Sequence, residues 1–92
     1  MIDANAPTIS AMRCDVLYFA QARELAASDR ESINLPEGAT VREALAVILT
    51  KHPTLQALSG RLAIAVDERY ASHDAPLRDG CVIALIPPVS GG

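Results

Sequence analysis

Two apolar runs bracket this chain, and they limit what it can fold into more than any other feature. The first is Arg13-Cys14-Asp15-Val16-Leu17-Tyr18-Phe19 and the second is Cys81-Val82-Ile83-Ala84-Leu85-Ile86-Pro87. Both are rich in β-branched or aromatic residues and read as strands, and neither alternates cleanly between apolar and polar positions. Strands apolar on both faces belong in the middle of a sheet rather than at its edge. The expectation is that the first and last strands lie side by side, and parallel, at the centre.

The best helix lies between them. Thr40-Val41-Arg42-Glu43 fits a capping box, in which the Thr hydroxyl and the Glu carboxylate each satisfy an orphan backbone N–H. Val41, Leu45, Ile48, Leu49 and His52 then form one stripe, and Pro53 ends the helix after about three turns. The stretch after Phe19, AQARELAAS, reads as one or two helical turns, and TLQALSG as another. Brief strands are expected at Ser32–Leu35 and at 61–67, with ERYASHD a turn or a short edge pairing. Asp67 and Glu68, read as strand residues, would point to opposite faces. This order predicts an α+β domain, a mixed sheet of four to five strands crossed by one main helix and flanked by short helical turns. The boundaries are a loose leader over 1–12, a domain over 13–86 and an extended tail over 87–92.

Ninety-two residues suffice for one core and no more. With 50% hydrophobic and 21% charged residues the chain sits among soluble globular proteins. The net charge is −3 and the eight basic residues are scattered, which argues against nucleic acid as a partner. No stretch approaches the ~18 apolar residues of a membrane span, and the start lacks the marks of a secretory signal, so the cytoplasm is the expected compartment. Cys14 and Cys81 are each expected to fill core space, with a disulfide or redox role as the alternative.

The catalytic inventory is short. His52 and His73 have no partners at metal-ligand spacing, and Gly38, Gly60 and Gly80 stand singly at turns. No nucleophile motif surrounds any serine. The tail is different. Pro87 and Pro88 stiffen the exit from the last strand, and Val89, Ser90, Gly91 and Gly92 follow. Six residues reach roughly 20 Å at about 3.3–3.6 Å each. The two glycines make the tip thin enough to enter a narrow pocket and present an α-carboxylate there. That carboxylate, ionised above a pKa of about 3.5, is a poor electrophile until activated.

Three segments carry a resemblance. VLYFAQARELA (16–26), the spacing from Leu35-Pro36 through Thr40-Val41 to Leu45, and LRDGCVIALIPPVSGG (77–92) together resemble the small, sulfur-carrier subunits of molybdopterin synthase. These belong to the ubiquitin-like β-grasp superfamily. The third segment is the most specific, because a bare Gly-Gly end is shared by all ubiquitin-like carriers. The resemblance implies that Gly92 is adenylated by an ATP-dependent activating enzyme and converted to a thiocarboxylate. A sulfur donor such as a cysteine desulfurase or rhodanese-type protein would supply the sulfur. The tail would then insert into the large catalytic subunit of a heterotetramer, and two sulfur transfers would turn cyclic pyranopterin monophosphate into molybdopterin. On this reading the chain is no enzyme by itself and binds no cofactor or metal; ATP is used by the activating enzyme. By position, Phe19 and Leu85 are candidates for apolar contact with partners, and Arg23 for a polar anchor; a core role for Phe19 and Leu85 is the alternative. The chain departs from the family at Cys81 and Val82, where acidic residues are common, and at Asp67, where Asn is frequent.

Other functions use the same terminus. A carrier for thiamine or another thiolated product, and a modifier conjugated to lysines, both need an activated C-terminal glycine. From another class, a non-covalent β-grasp interaction module would leave the tail inert.

Overall fold

A computed structural model describes residues 11–88. The chain runs β1 (Ala11–Tyr18), α1 (Ala20–Ala26), β2 (Arg30–Pro36), α2 (Val41–Lys51), a 3-10 turn (Pro53–Leu58), β3 (Ala63–Val66), β4 (Arg69–Tyr70) and β5 (Val82–Ile86). The strands form one mixed sheet in the order β2-β1-β5-β3-β4. As expected, β1 and β5 are parallel and central, with Leu17 opposite Ala84 and Tyr18 opposite Leu85. β2 and β3 flank them antiparallel. None of the helices among the described residues is long and apolar enough to cross a membrane.

β1 starts two residues before the expected Arg13, because Ala11 and Met12 pair with Pro36 and Leu35 and the Met12 side chain is buried. It also stops before Phe19, whose extended backbone forms the N-cap of α1.

One face of the sheet makes the core. Cys14, Val16 and Tyr18 of β1, Ile33 and Leu35 of β2, and Ile83 and Leu85 of β5 pack against Val41, Ala44 and Ile48 of α2 and Leu55 and Leu58 of the 3-10 turn. Each large side chain buried here contributes about 1.5–3 kcal/mol from removal of apolar area. Ala22 and Ala26 bring α1 close, and the Thr54 hydroxyl donates to the Leu25 carbonyl at 2.6 Å.

The start of α2 shows why this segment commits to helix. The Glu43 N–H reaches Thr40 Oγ1 at 3.4 Å and the Glu43 carboxylate accepts from the Thr40 N–H at 2.8 Å. The Val41 and Arg42 N–H groups donate instead to the Ala75 and His73 carbonyls. The orphan donors of the first turn are therefore satisfied, partly by a loop distant in sequence.

The far end of α2 is fixed by a half-buried polar cluster. The Tyr18 hydroxyl donates to Glu31 Oε2, and His52 Nε2 donates to the same oxygen at 2.7 Å. Lys51 Nζ lies 3.6 Å from Glu31 Oε1, and the Tyr18 and His52 rings meet edge to face. His52 is therefore the helix C-cap with its imidazole tied to β2, not simply the end of the apolar stripe. Burial pushes the Glu31 carboxyl up, but the Tyr18 and His52 hydrogen bonds and the nearby positive charges outweigh it and hold it below its ordinary value. Burial, then the Glu31 contact, pushes the Tyr18 phenol well above its ordinary range. A lowered carboxyl contributes stability that is complete above the unfolded value of about 4.3 and is lost as pH falls through the folded value. Glu31→Gln should therefore cost about 1–3 kcal/mol at neutral pH. That deficit should shrink steadily below about pH 4.3 in urea unfolding curves of the two proteins.

Asp67 and Glu68 correct an expectation. They are not strand residues facing opposite ways but the two central residues of the β3–β4 hairpin turn, with φ of 50° and 73°. Two successive positive φ values are those of a type I′ turn, where Asn-Gly is favoured. The left-handed conformation costs a residue with a Cβ about 1–2 kcal/mol, and glycine's looser unfolded chain returns part of that. Glu68→Gly should stabilise by about 0.5–1 kcal/mol, raising Tm by a few degrees in a thermal melt.

Candidate functional site

Among the described residues no helix packs on the sheet's second face. Along β5 the side chains alternate, with Ile83 and Leu85 entering the core while Val82, Ala84 and Ile86 face the open side. Leu17 of β1 and Ala65 of β3 lie beside Ala84 in register and extend the apolar strip. Phe19 and Tyr70 stand at its margins with 45% and 76% of their surfaces exposed, the two large hydrophobic side chains most open to solvent among the described residues. Arg30, Asp67 and Glu68 supply a charged rim around a shallow concavity of about 740 Å³. Exposed apolar surface with a polar rim is the usual form of a protein-docking site.

The rest of this face is polar and internally paired. Arg30 contacts Asp15 at 2.7 Å, and the Ser32 hydroxyl donates to the same carboxylate at 2.9 Å. These two hydrogen bonds hold the Asp15 carboxyl below its ordinary value. Asp67 is anchored rather than free: its carboxylate accepts from the Val82 N–H at 3.0 Å, and its own N–H donates to the Val82 carbonyl at 2.9 Å. Arg78 lies 3.7 Å from it. Among the described residues no three His, Cys, Asp or Glu side chains gather as metal ligands.

β5 leads directly from this face to the C-terminal segment. Ile86 still pairs with Ala63 of β3, Pro87 is buried and Pro88 is exposed. The root of the segment is thus set in the centre of the sheet, bordered by Phe19, whose N–H approaches the Leu85 carbonyl at 3.4 Å. Val89, Ser90, Gly91 and Gly92 lie outside the described residues.

The residues singled out from the sequence separate clearly. Phe19 lies on the open face beside the root of the tail. Arg23 is exposed on α1. Of the two expectations for Leu85 the core one holds: it is fully buried against the helix side, and its neighbours Ala84 and Ile86 are the residues that face the open side. Tyr70 and Leu17 were missed. The uninterrupted apolarity of β1 points to Leu17, whereas nothing in the sequence marks Tyr70, which lies on β4.

A fold with a central parallel pair and a bare apolar face is compatible with several ubiquitin-like activities, and the comparisons narrow it. The model of the ThiS family matches residues 16–92. The chain belongs to that family. It is 36% identical over 83 residues to the molybdopterin synthase sulfur carrier subunit of Chlamydomonas reinhardtii, covering 88% of this chain and all of that one. In the solved protein–protein complex of subunits 1 and 2 of the molybdopterin-converting factor from Helicobacter pylori, the matching chain is 30% identical. It covers 88% of this chain and all of its own length, with a TM-score of 0.63. The crystal structure of SAMP1 from Haloferax volcanii superposes with a TM-score of 0.80 at 27% identity, over 87% of this chain and 99% of that one. The expected ubiquitin-like β-grasp fold is thereby confirmed, as is the resemblance to molybdopterin synthase small subunits.

Proposed function

We propose that this ThiS-family chain is a protein-borne sulfur donor for molybdopterin formation. The Gly92 carboxylate is the reacting group. An ATP-dependent activating enzyme adenylates it, so that AMP becomes a leaving group, and a sulfur nucleophile displaces AMP to leave a C-terminal thiocarboxylate. The tail Pro87-Pro88-Val89-Ser90-Gly91-Gly92 then delivers that sulfur into a large partner subunit. Two successive transfers there would convert cyclic pyranopterin monophosphate into the dithiolene. The pterin-handling side chains belong to the partner, and the assembly is a heterotetramer with one carrier at each end of a dimer of large subunits.

The observation that carries this reading is a family match reaching residue 92, through Pro-Pro-Val-Ser-Gly-Gly, in a chain whose relatives bear the sulfur-carrier name. The geometry supports it. β5 is held on both edges by β1 and β3, so the root of the tail is rigid and adjoins the open apolar face. A partner covering that face meets the root of the tail already ordered, with little entropy left to lose there.

The test is an intact mass of the Gly92-terminated protein after incubation with ATP, an activating enzyme and a sulfur source. One oxygen exchanged for sulfur, localised to Gly92 by fragmentation, is the expected result. Absence of that exchange with several competent activating enzymes would leave the tail inert and favour a non-covalent interaction module. The likeness to SAMP1, a small archaeal modifier protein, favours one second reading: transfer of the activated Gly92 to lysine Nζ groups. That reading is distinguished by Gly-Gly remnants on lysines of other proteins after digestion.

A further inference from the structure

Cys14 and Cys81 are 67 residues apart in sequence, yet the fold brings their sulfurs to 3.2 Å. The register accounts for this. Asp15 pairs with Val82 in the parallel β1–β5 ladder, so the residues one step before each are neighbours across the same pair. The Asp15 N–H donates to the Cys81 carbonyl at 3.0 Å, which holds the two backbones at that spacing. Adjacent strands lie about 4.8 Å apart, within the ~4.4–6.8 Å that a disulfide spans between Cα atoms. Both side chains point into the core, both are buried, and both thiols are free.

We propose that Cys14 and Cys81 form a dithiol–disulfide couple, a reversible staple across the two central strands, oxidised by a low-molecular-weight disulfide such as oxidised glutathione. The thiolate of one cysteine attacks a sulfur of the oxidant, giving a mixed disulfide and releasing one reduced thiol. The second cysteine's thiolate then attacks the protein-bound sulfur, closing the Cys14–Cys81 bond and releasing the second reduced thiol. The protein loses two electrons and two protons, and both are accounted for in the two reduced thiols.

The fold also sets the rate. Burial, and then the hydrogen bond to Cys81, pushes the Cys14 thiol up to about 12, so the closed pair is a slow nucleophile. Cys81 offers the way in. It stands just ahead of β5 at the end of a turn, with its N–H bonded to the Arg78 carbonyl at 3.1 Å and the Gly80 N–H bonded to the Arg13 carbonyl at 2.8 Å. Local opening of that turn gives up the Asp15–Cys81 and Gly80–Arg13 hydrogen bonds at the end of the β1–β5 ladder and frees Cys81 while the rest of the ladder stays paired. Closing a loop of 67 residues removes enough freedom from the unfolded chain to raise the folded-to-unfolded ratio by roughly 10³-fold.

The experiment uses the full chain, equilibrated in glutathione buffers of stepped oxidised-to-reduced ratio, both as folded protein and during refolding. Samples are acid-quenched and read by intact mass, peptide mapping and thermal melts. The expected result is a monomer lacking two hydrogens, with the link mapped to Cys14–Cys81. Its Tm should rise by on the order of 10 °C or more and return on addition of dithiothreitol. Cys14→Ala and Cys81→Ala should each abolish both the linked species and the Tm response to oxidant. Mixed disulfides or linked dimers alone, no linkage even on refolding, or a linked monomer with lowered Tm would each overturn the proposal. So would a Tm response to oxidant that survives in either alanine variant.

Discussion

One residue appended after Gly92 is expected to reduce thiocarboxylate formation to background while leaving stability within about 0.5 kcal/mol of the parent. The proposed chemistry takes place at a single α-carboxylate. An added residue moves that group by about 3.5 Å and replaces it with an amide, which has no ionised oxygen to attack ATP. Deleting Gly92 should have the same outcome for a different reason, since the new terminus on Gly91 falls about 3.5 Å short of the activating site. Intact mass after the ATP-dependent reaction, paired with a thermal melt, tests both. An extended protein that still acquires sulfur at its terminus, or still supports product formation at the parent rate, would refute the carrier reading.

Ala84→Arg and Leu85→Ala, adjacent in β5, should fail in opposite ways. Ala84 lies on the open face between Leu17 and Ala65, where an arginine can reach solvent in the free protein, so the cost in stability should stay below about 1 kcal/mol. Once a partner covers that face the guanidinium loses its water and its bulk holds the two surfaces apart. The affinity for the large subunit should fall by about 100-fold or more, close to 3 kcal/mol. Leu85 is fully buried, and truncation there should cost about 2–5 kcal/mol and lower Tm by roughly 10 °C or more. Its docking, measured well below that lowered Tm, should change by less than about tenfold. Calorimetric titration and thermal melts of both variants separate the two effects. Equal loss of affinity in the two would mean that the open face is not where the partner sits.

Local chemistry was legible where the decisive partners are close in sequence. Thr40 and Glu43 form the capping box because their spacing of three residues places each beside the other's backbone N–H in any helix. The apolar density of β1 and β5 was enough to place them centrally and parallel, because a strand with few polar side chains is poorly suited to a sheet edge. The same density says nothing about what covers them. A sequence records that a side chain is apolar, not whether this chain or another one buries it.

Several positions turned on that gap. Leu85 and Ala84 are consecutive apolar residues, and only the register of β5 against β1 and β3 sends one into the core and the other to the open face. Asp67 and Glu68 carry no glycine to announce a tight turn, so the sequence places a turn only loosely within 68–74 and leaves Asp67 at the end of a strand. Glu31 and His52 are 21 residues apart, and their meeting with Tyr18 depends on how α2 crosses the sheet.

By itself, then, the sequence determined the helix and its cap and the strand-forming runs, each set by neighbours within a few residues. Only the tertiary structure decided which apolar side chains form the core and which lie on the open face, and only it brought Cys14 to Cys81. Those outcomes depend on strand register, and register is settled by the simultaneous packing of every strand and helix in the domain.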